Sequence, residues 1–99
     1  MSQFDLYRRA SGDGYWLDCQ TDLMAGFDSR FVVPLVPVDL APAAARHLNP
    51  LFRIADQDFV MLTQFAVTIP SNELAVASGS LAGYRYEILK ALDFLITGV

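Results

Sequence analysis

Residues 3–21, QFDLYRRASGDGYWLDCQT, read as two short strands around a turn, and this reading sets the fold class. Gln3 to Arg8 alternates with period two, placing Phe4, Leu6 and Arg8 on one face and Asp5 and Tyr7 on the other. Ser11-Gly12-Asp13-Gly14 is a hairpin signal, because Asp-Gly supplies the positive φ angles that tight hairpins need. Tyr15 to Thr21 returns as the second strand.

Moving outward, Asp22 to Ser29 reads as a loop holding Leu23, Met24 and Phe27, and Arg30 to Val36 as a third strand. Pro34 inside that run points to a strand edge or a bulge. Asp39 to His47 is alanine-rich with Pro42 suited to a first helical turn, which predicts a helical turn or short helix. Leu51 to Ile54 and Gln57 to Thr63 form a second hairpin around Ala55-Asp56, and Phe65 to Ile69 a further strand stopped by Pro70. Ser71 to Gly79 is a connection with some helical character.

The period then changes from 2 to 3.6. Leu81 to Val99 predicts a helix over 81–97, with Tyr84, Ile88, Ala91, Leu92 and Leu95 on one stripe widened by Leu81, Leu89 and Ile96. Tyr86, Glu87, Lys90, Asp93, Phe94 and Thr97 occupy the other side, Phe94 being a large apolar group among polar ones. Closely spaced strands followed by one helix predict a mostly β fold, a small bent antiparallel sheet or barrel with a C-terminal helix. A single domain over 1–99 is expected, strands and short helical turns filling 1–80.

Composition excludes several functions. Of the 99 residues 54% are hydrophobic and only 18% charged, more apolar material than one small core easily hides, so a homodimer is expected. Seven basic residues against eleven acidic ones give a net charge of −4. That balance argues against direct nucleic-acid binding and suits a basic protein partner. Arg8-Arg9, the nearest thing to a basic cluster, reads as a solvated strand end. Cys19 is the only cysteine, excluding a disulfide framework, and reads as a small buried hydrophobe. The N-terminus shows no signal-peptide pattern. The terminal helix, about 26 Å long and carrying Arg85, Glu87, Lys90 and Asp93, is no simple membrane span, so a cytoplasmic protein is expected.

Catalytic chemistry is hard to assemble. His47 is the only histidine and lacks a nucleophile motif or a second His for a metal, which makes it a surface residue. Asp18 and Asp22 read as turn and surface carboxylates rather than an acid–base pair, and Asp56 and Asp58 as hairpin residues. Gly12 and Gly14 are too few, in too acidic a setting, to cradle phosphate. Neither an enzyme nor a cofactor or metal site is expected.

Several segments in order carry a resemblance: Gln3-Phe4-x-Leu6-Tyr7, Leu17-Asp18-Cys19-Gln20-Thr21-Asp22, Arg30-Phe31-Val32-Val33-Pro34-Leu35, Leu48-Asn49-Pro50, Met61-Leu62-Thr63 and Ile69-Pro70, then a helix ending in Gly98 and an aliphatic residue. The chain resembles the CcdB family of toxins over nearly its whole length. The resemblance implies a homodimer built on an SH3-like barrel or bent sheet, with the terminal helices beside the dyad. It implies the toxin half of a toxin–antitoxin pair, binding the A subunit of DNA gyrase and trapping its cleaved-DNA complex. A CcdA antitoxin would wrap the toxin through a disordered tail, and no cofactor would take part.

The family's gyrase contacts are a terminal Trp-Gly-Ile, an Asn four residues before that Trp, and two isoleucines after a Ser-Asp pair. By resemblance they fall here on Thr97-Gly98-Val99, Asp93, and Leu23 and Met24 after Thr21-Asp22, with Phe94 as an additional contact. Leu23, Met24, Gly98 and Val99 are conservative matches; Asp93 and Thr97 depart, and threonine has no ring to stack on an arginine. Three functions follow: a toxin acting on gyrase or the related topoisomerase IV, a less potent member serving as an antitoxin-binding regulator, and an endoribonuclease of the MazF-like toxins that share the fold. The last needs a general base and a cationic group beside a phosphate, and the net charge of −4 opposes it.

Overall fold

A computed structural model describes residues 1–10 and 12–99. The alternating segments form seven antiparallel strands in one curled, half-barrel sheet, and the 3.6-period segment forms the C-terminal helix. The strands are β1 (Asp5–Arg8), β2 (Tyr15–Asp18), β3 (Ser29–Pro37), β4 (Leu51–Ile54), β5 (Gln57–Met61), β6 (Val67–Pro70) and β7 (Gly79–Ser80), followed by α1 (Arg85–Thr97). Their order is β4-β5-β3-β2-β1-β7, with β6 also paired to β3. The expected mostly β fold with one terminal helix is what forms.

The first hairpin pairs Arg8 with Tyr15 and Leu6 with Leu17. Of its expected turn, Ser11 lies outside the described residues, while Gly12 and Gly14 carry the positive φ angles at 148° and 100°. Gly14 is required for a second reason. A Cβ there would lie 2.0 Å from the Leu35 carbonyl oxygen, so only a bare backbone fits against β3. The second hairpin turns on Ala55 (φ 51°) and Asp56 (φ 65°), both left-handed as a two-residue loop demands.

Pro34 does not mark an edge. β3 is the central strand, paired with β2 along one side and with β6 and then β5 along the other. Pro34 falls where the partner changes, between the Val32–Val67 and Leu35–Met61 pairs, and its carbonyl accepts the Leu62 N–H at 3.0 Å. A residue without an N–H is tolerated in mid-sheet because neither β5 nor β6 pairs with it there. The alanine-rich segment also differs from expectation. A 3-10 turn at Val38–Leu40 is followed by irregular chain, and Pro42 starts no helix. Gly79, expected as the end of a connection, instead joins Ser80 in a short edge strand beside β1.

Both faces of the sheet are covered. Leu6, Leu17, Val33, Leu35, Phe52, Phe59 and Met61 build the main core together with Ile88 and Ala91 of α1. Tyr7 and Val32 point the other way, under Leu74. In that second layer Asp18 and Arg30 are both fully buried, joined from Nη2 to Oδ2 at 2.6 Å and from Nε to the same oxygen at 3.0 Å. Asp18 is therefore no surface carboxylate; the pairing period puts it inside, and Arg30, two residues along the partner strand from the Asp18–Val32 pair, supplies the countercharge. Arg9 is also only partly solvated, its guanidinium lying 4.8 Å over the Trp16 ring. Cys19 is buried as expected, and burial pushes its thiol up to about 12 with a further rise from the Asp18 carboxylate.

Candidate protein-docking site

The helical segment opens as a 3-10 turn at Ala82–Tyr84 and becomes α-helical at Arg85. Of the expected apolar stripe only Ile88 and Ala91 are buried in α1, with Leu92 half-buried and Leu81 buried just before it. Leu89, Leu95 and Ile96 remain exposed, Ile96 at 81%. The stripe is wider than the sheet can cover, because β3 and its neighbours already fill the core from their own side chains.

Local chemistry fixes the end of α1. Gly98 adopts φ 76°, the left-handed conformation that stops a helix, and its N–H donates to the Phe94 carbonyl at 2.8 Å. The Thr97 hydroxyl donates to the Asp93 carbonyl at 2.8 Å and accepts the Val99 N–H at 3.3 Å. Thr97 thus ties the last residue back to the helix without offering a ring. Val99 projects with 89% of its surface exposed. Asp93 adds negative charge near the C-terminal end, where unsatisfied carbonyls already make the helix dipole negative and no basic residue lies in the last turn. This end suits a cationic group on a partner, such as an arginine side chain.

Leu89, Asp93 and Val99 line a shallow, mostly apolar groove of about 710 Å³ whose other walls are Arg85, Tyr86 and Lys90. A second groove, of about 420 Å³, adjoins it across the shared Tyr86 and Lys90, and brings in Arg46, His47 and Leu51. The Lys90 ammonium sits 5.6 Å from the Tyr86 ring centre, a cation–π ridge between the two. Arg46, Arg85 and Lys90 line these grooves together with Glu87 and Asp93, so basic groups slightly outnumber acidic ones on this side of α1 although the overall charge is −4.

Leu23 and Met24 belong to another element, a 3-10 turn at Asp22–Met24 capped by the Thr21 hydroxyl. Leu23 is 90% and Met24 42% exposed. Gln3 holds this turn in place. Its N–H donates to Asp22 Oδ1 at 2.7 Å, its amide nitrogen to the Cys19 carbonyl at 3.1 Å, and its amide oxygen accepts from Arg85 Nη1 at 2.9 Å. The turn is thereby tethered to the first turn of α1, whereas Thr97 stands about 18 Å further along the helix axis at 1.5 Å per residue. The candidate residues thus form two groups within one chain: Asp93, Thr97, Gly98 and Val99 together, Leu23 and Met24 apart.

Phe94 belongs to neither group's open surface. It is half-buried, with the His47 ring 5.8 Å away at 47°. His47 is exposed as expected, yet it is in contact, and nothing in the linear pattern marks it or Gln3 as part of the site. The carboxylates give no acid–base pair: Asp22 caps Gln3, Asp18 is enclosed with Arg30, and Asp58 pairs with Arg53 at 3.0 Å on the surface. Among the described residues no cluster of His, Cys, Asp or Glu side chains is placed to hold a metal, and no helix is long and apolar enough to cross a membrane.

The candidate site is thus an exposed, largely apolar helix end with one carboxylate. The sequence model of the family described as CcdB protein matches residues 3–98, nearly the whole chain. The chain therefore belongs to the CcdB family, toxins that target DNA gyrase as poisons rather than as catalysts and that are neutralised by CcdA.

Proposed function

We propose that this chain engages gyrase through Leu23, Met24, Asp93, Thr97, Gly98 and Val99, acting as one domain and as a two-fold homodimer in the cytoplasm. The observation that carries the reading is the end of α1, where Ile96 and Val99 are 81% and 89% exposed beside Asp93. Such a large unpaired apolar end on a short domain favours a protein partner. A homodimer with the two helix ends near its axis would offer a symmetric patch to a symmetric target. It also answers the separation of the two groups of site residues, since the turn at Asp22–Met24 of one protomer and the helix end of its partner can then share a face.

The antitoxin would reach the chain by a different chemistry. Arg46, Arg85 and Lys90 around the paired grooves favour a disordered segment rich in acidic and aliphatic residues, which orders as it binds. The free edge of β4, beginning at the exposed Leu51, continues the same surface. The second reading, an antitoxin-binding regulator of low toxicity, draws on Thr97, which lacks the stacking ring and spends its hydroxyl on the helix.

Supercoiling by purified gyrase tests the proposal. Wild-type protein should inhibit, and deletion of Gly98-Val99 should abolish inhibition while leaving the fold intact. If wild type and truncation leave gyrase equally untouched while cells still stop growing, the site reading fails and topoisomerase IV becomes the target to assay. Sedimentation equilibrium at micromolar concentration should return about twice the chain mass; a clean monomer removes the symmetric patch.

A further inference from the structure

His47 sits in a backbone conformation that few side chains adopt. Its φ of 68° lies in the left-handed region, where a glycine would sit without penalty. The chain reaches this point because the segment after it is anchored three ways. Asn49, itself buried, donates from its amide nitrogen to the Met61 carbonyl and to Gln64 Oε1, and accepts the Ala45 N–H at 2.9 Å. The Leu48 and Asn49 N–H groups both donate to the Ala45 carbonyl, and the fully buried Thr63 hydroxyl donates to the Leu48 carbonyl. Residues 45–49 are thus a small rigid hook bolted to the end of β5, with His47 at its tip.

The tip meets one thing of consequence. The imidazole lies 5.8 Å from the Phe94 ring, tilted by 47°, an aromatic pair between the hook and the last turn of α1. Phe94 is also the residue whose carbonyl accepts the Gly98 N–H that closes the helix. One covalent neighbour away, Asp93 carries the carbonyl that receives the Thr97 hydroxyl. Beyond Ala91 and Leu92 the helix end buries little, because Leu95, Ile96, Thr97 and Val99 are all exposed. Without a lateral contact such an end frays, and ordering it on a partner would cost affinity.

We infer that His47 is a positioning residue: through Phe94 it holds the terminal turn of α1 in the geometry that presents Asp93, Thr97, Gly98 and Val99. The strain at His47 and the placement of a lone large apolar residue on the polar side of α1 then have one common cause. The inference concerns the order of the helix end, and its consequence for gyrase rests on the docking surface proposed above.

Amide–water exchange measured by NMR on the full chain tests it, with gyrase binding measured in parallel. His47→Ala should speed exchange at Gly98 at least three-fold while the amides of Val33 and Leu35 in the core stay unchanged. His47→Phe, which keeps a ring at the tip, should return Gly98 to within two-fold of wild type. Gyrase affinity should fall three- to ten-fold in His47→Ala and recover in His47→Phe. Equal Gly98 exchange in wild type and His47→Ala overturns the inference, as does a His47→Phe variant no better than His47→Ala. A Gly98 response without any gyrase binding by wild type supports the positioning role and removes the docking surface instead.

Discussion

The central strand and the terminal helix use their apolar residues in opposite ways. Six of the nine residues of β3 are buried, Arg30 among them, and every one has a neighbour from the sheet, α1 or the second layer. Only Ile88 and Ala91 are buried in the thirteen residues of α1, although the helix carries Tyr86, Leu89, Leu95 and Ile96 as well. Folding accounts for the side chains of β3. It does not account for those of α1, and an apolar surplus that the fold leaves uncovered is what a protein-docking element needs. Substitutions in the sheet should therefore be read in stability, and substitutions at the helix end in binding.

The largest effect should come from the buried charge. Asp18→Ala leaves Arg30 enclosed, with Nη1 already lacking a hydrogen-bond partner, and should cost about 3–5 kcal/mol of unfolding free energy in urea titrations. Replacing both partners, as Asp18→Leu with Arg30→Met, should recover most of that loss because no uncompensated charge remains. A loss under 1 kcal/mol for the single variant would mean that water reaches the guanidinium, and the sheet would then be less closed than β3 suggests.

Next is Gly14→Ala, on the order of 3 kcal/mol, since the added methyl meets the Leu35 backbone and φ is 100°. Urea midpoints of the purified variant measure it. The effect belongs to the first hairpin and β3 together, so a variant that folds with wild-type stability would show that the hairpin stands away from the central strand.

These two sites also show where the sequence was legible. The Asp13-Gly14 pair announces a turn, but its linear pattern says nothing of Leu35, twenty-one residues on, which makes the second glycine obligatory. Strands with a clean period of two, such as β1 and β2, and the switch to a helical period after Leu81 can be read directly, because each reflects local geometry. Pro34 and Asp18 mislead for one reason: a proline in mid-strand and a carboxylate in a buried layer are tolerated through partners distant in sequence, the break between β5 and β6 and the guanidinium of Arg30. The proposed docking end draws on two kinds of signal. Gly98 and Val99 follow from order along the chain, whereas Gln3 and His47 enter only through tertiary contacts, Gln3 by three hydrogen bonds and His47 by a strained loop.

On the helix side, Thr97→Trp should change binding and leave folding alone. The position is exposed, so stability should move by less than about 0.5 kcal/mol. Losing the Thr97 hydroxyl releases the Asp93 carbonyl and the Val99 N–H to water, a small local cost. Gaining an aromatic anchor at the proposed interface is worth about 2 kcal/mol, so gyrase inhibition should strengthen some thirty-fold. Growth arrest and supercoiling assays on the same variant read it out. A stronger toxin would establish that the helix end faces gyrase; no change in either assay would move the contact elsewhere on the surface.

The smallest effect, and the closest control, is Gly98→Ala. Gly98 and Gly14 are both left-handed, at φ 76° and 100°, but a Cβ on Gly98 would meet nothing within 4 Å. Only the intrinsic cost of a left-handed alanine remains, about 1 kcal/mol, and a helix end escapes even that by unwinding its last turn. Global unfolding in urea should therefore match wild type closely, while the Gly98–Phe94 hydrogen bond loosens and gyrase inhibition weakens several-fold. The pair of alanine variants thus separates the two regions by the same substitution: stability lost at Gly14 with the docking end intact, docking lost at Gly98 with the sheet intact. Equal destabilisation by both would mean that the end of α1 is packed as firmly as β3, and that it is a structural element of the fold before it is anything else.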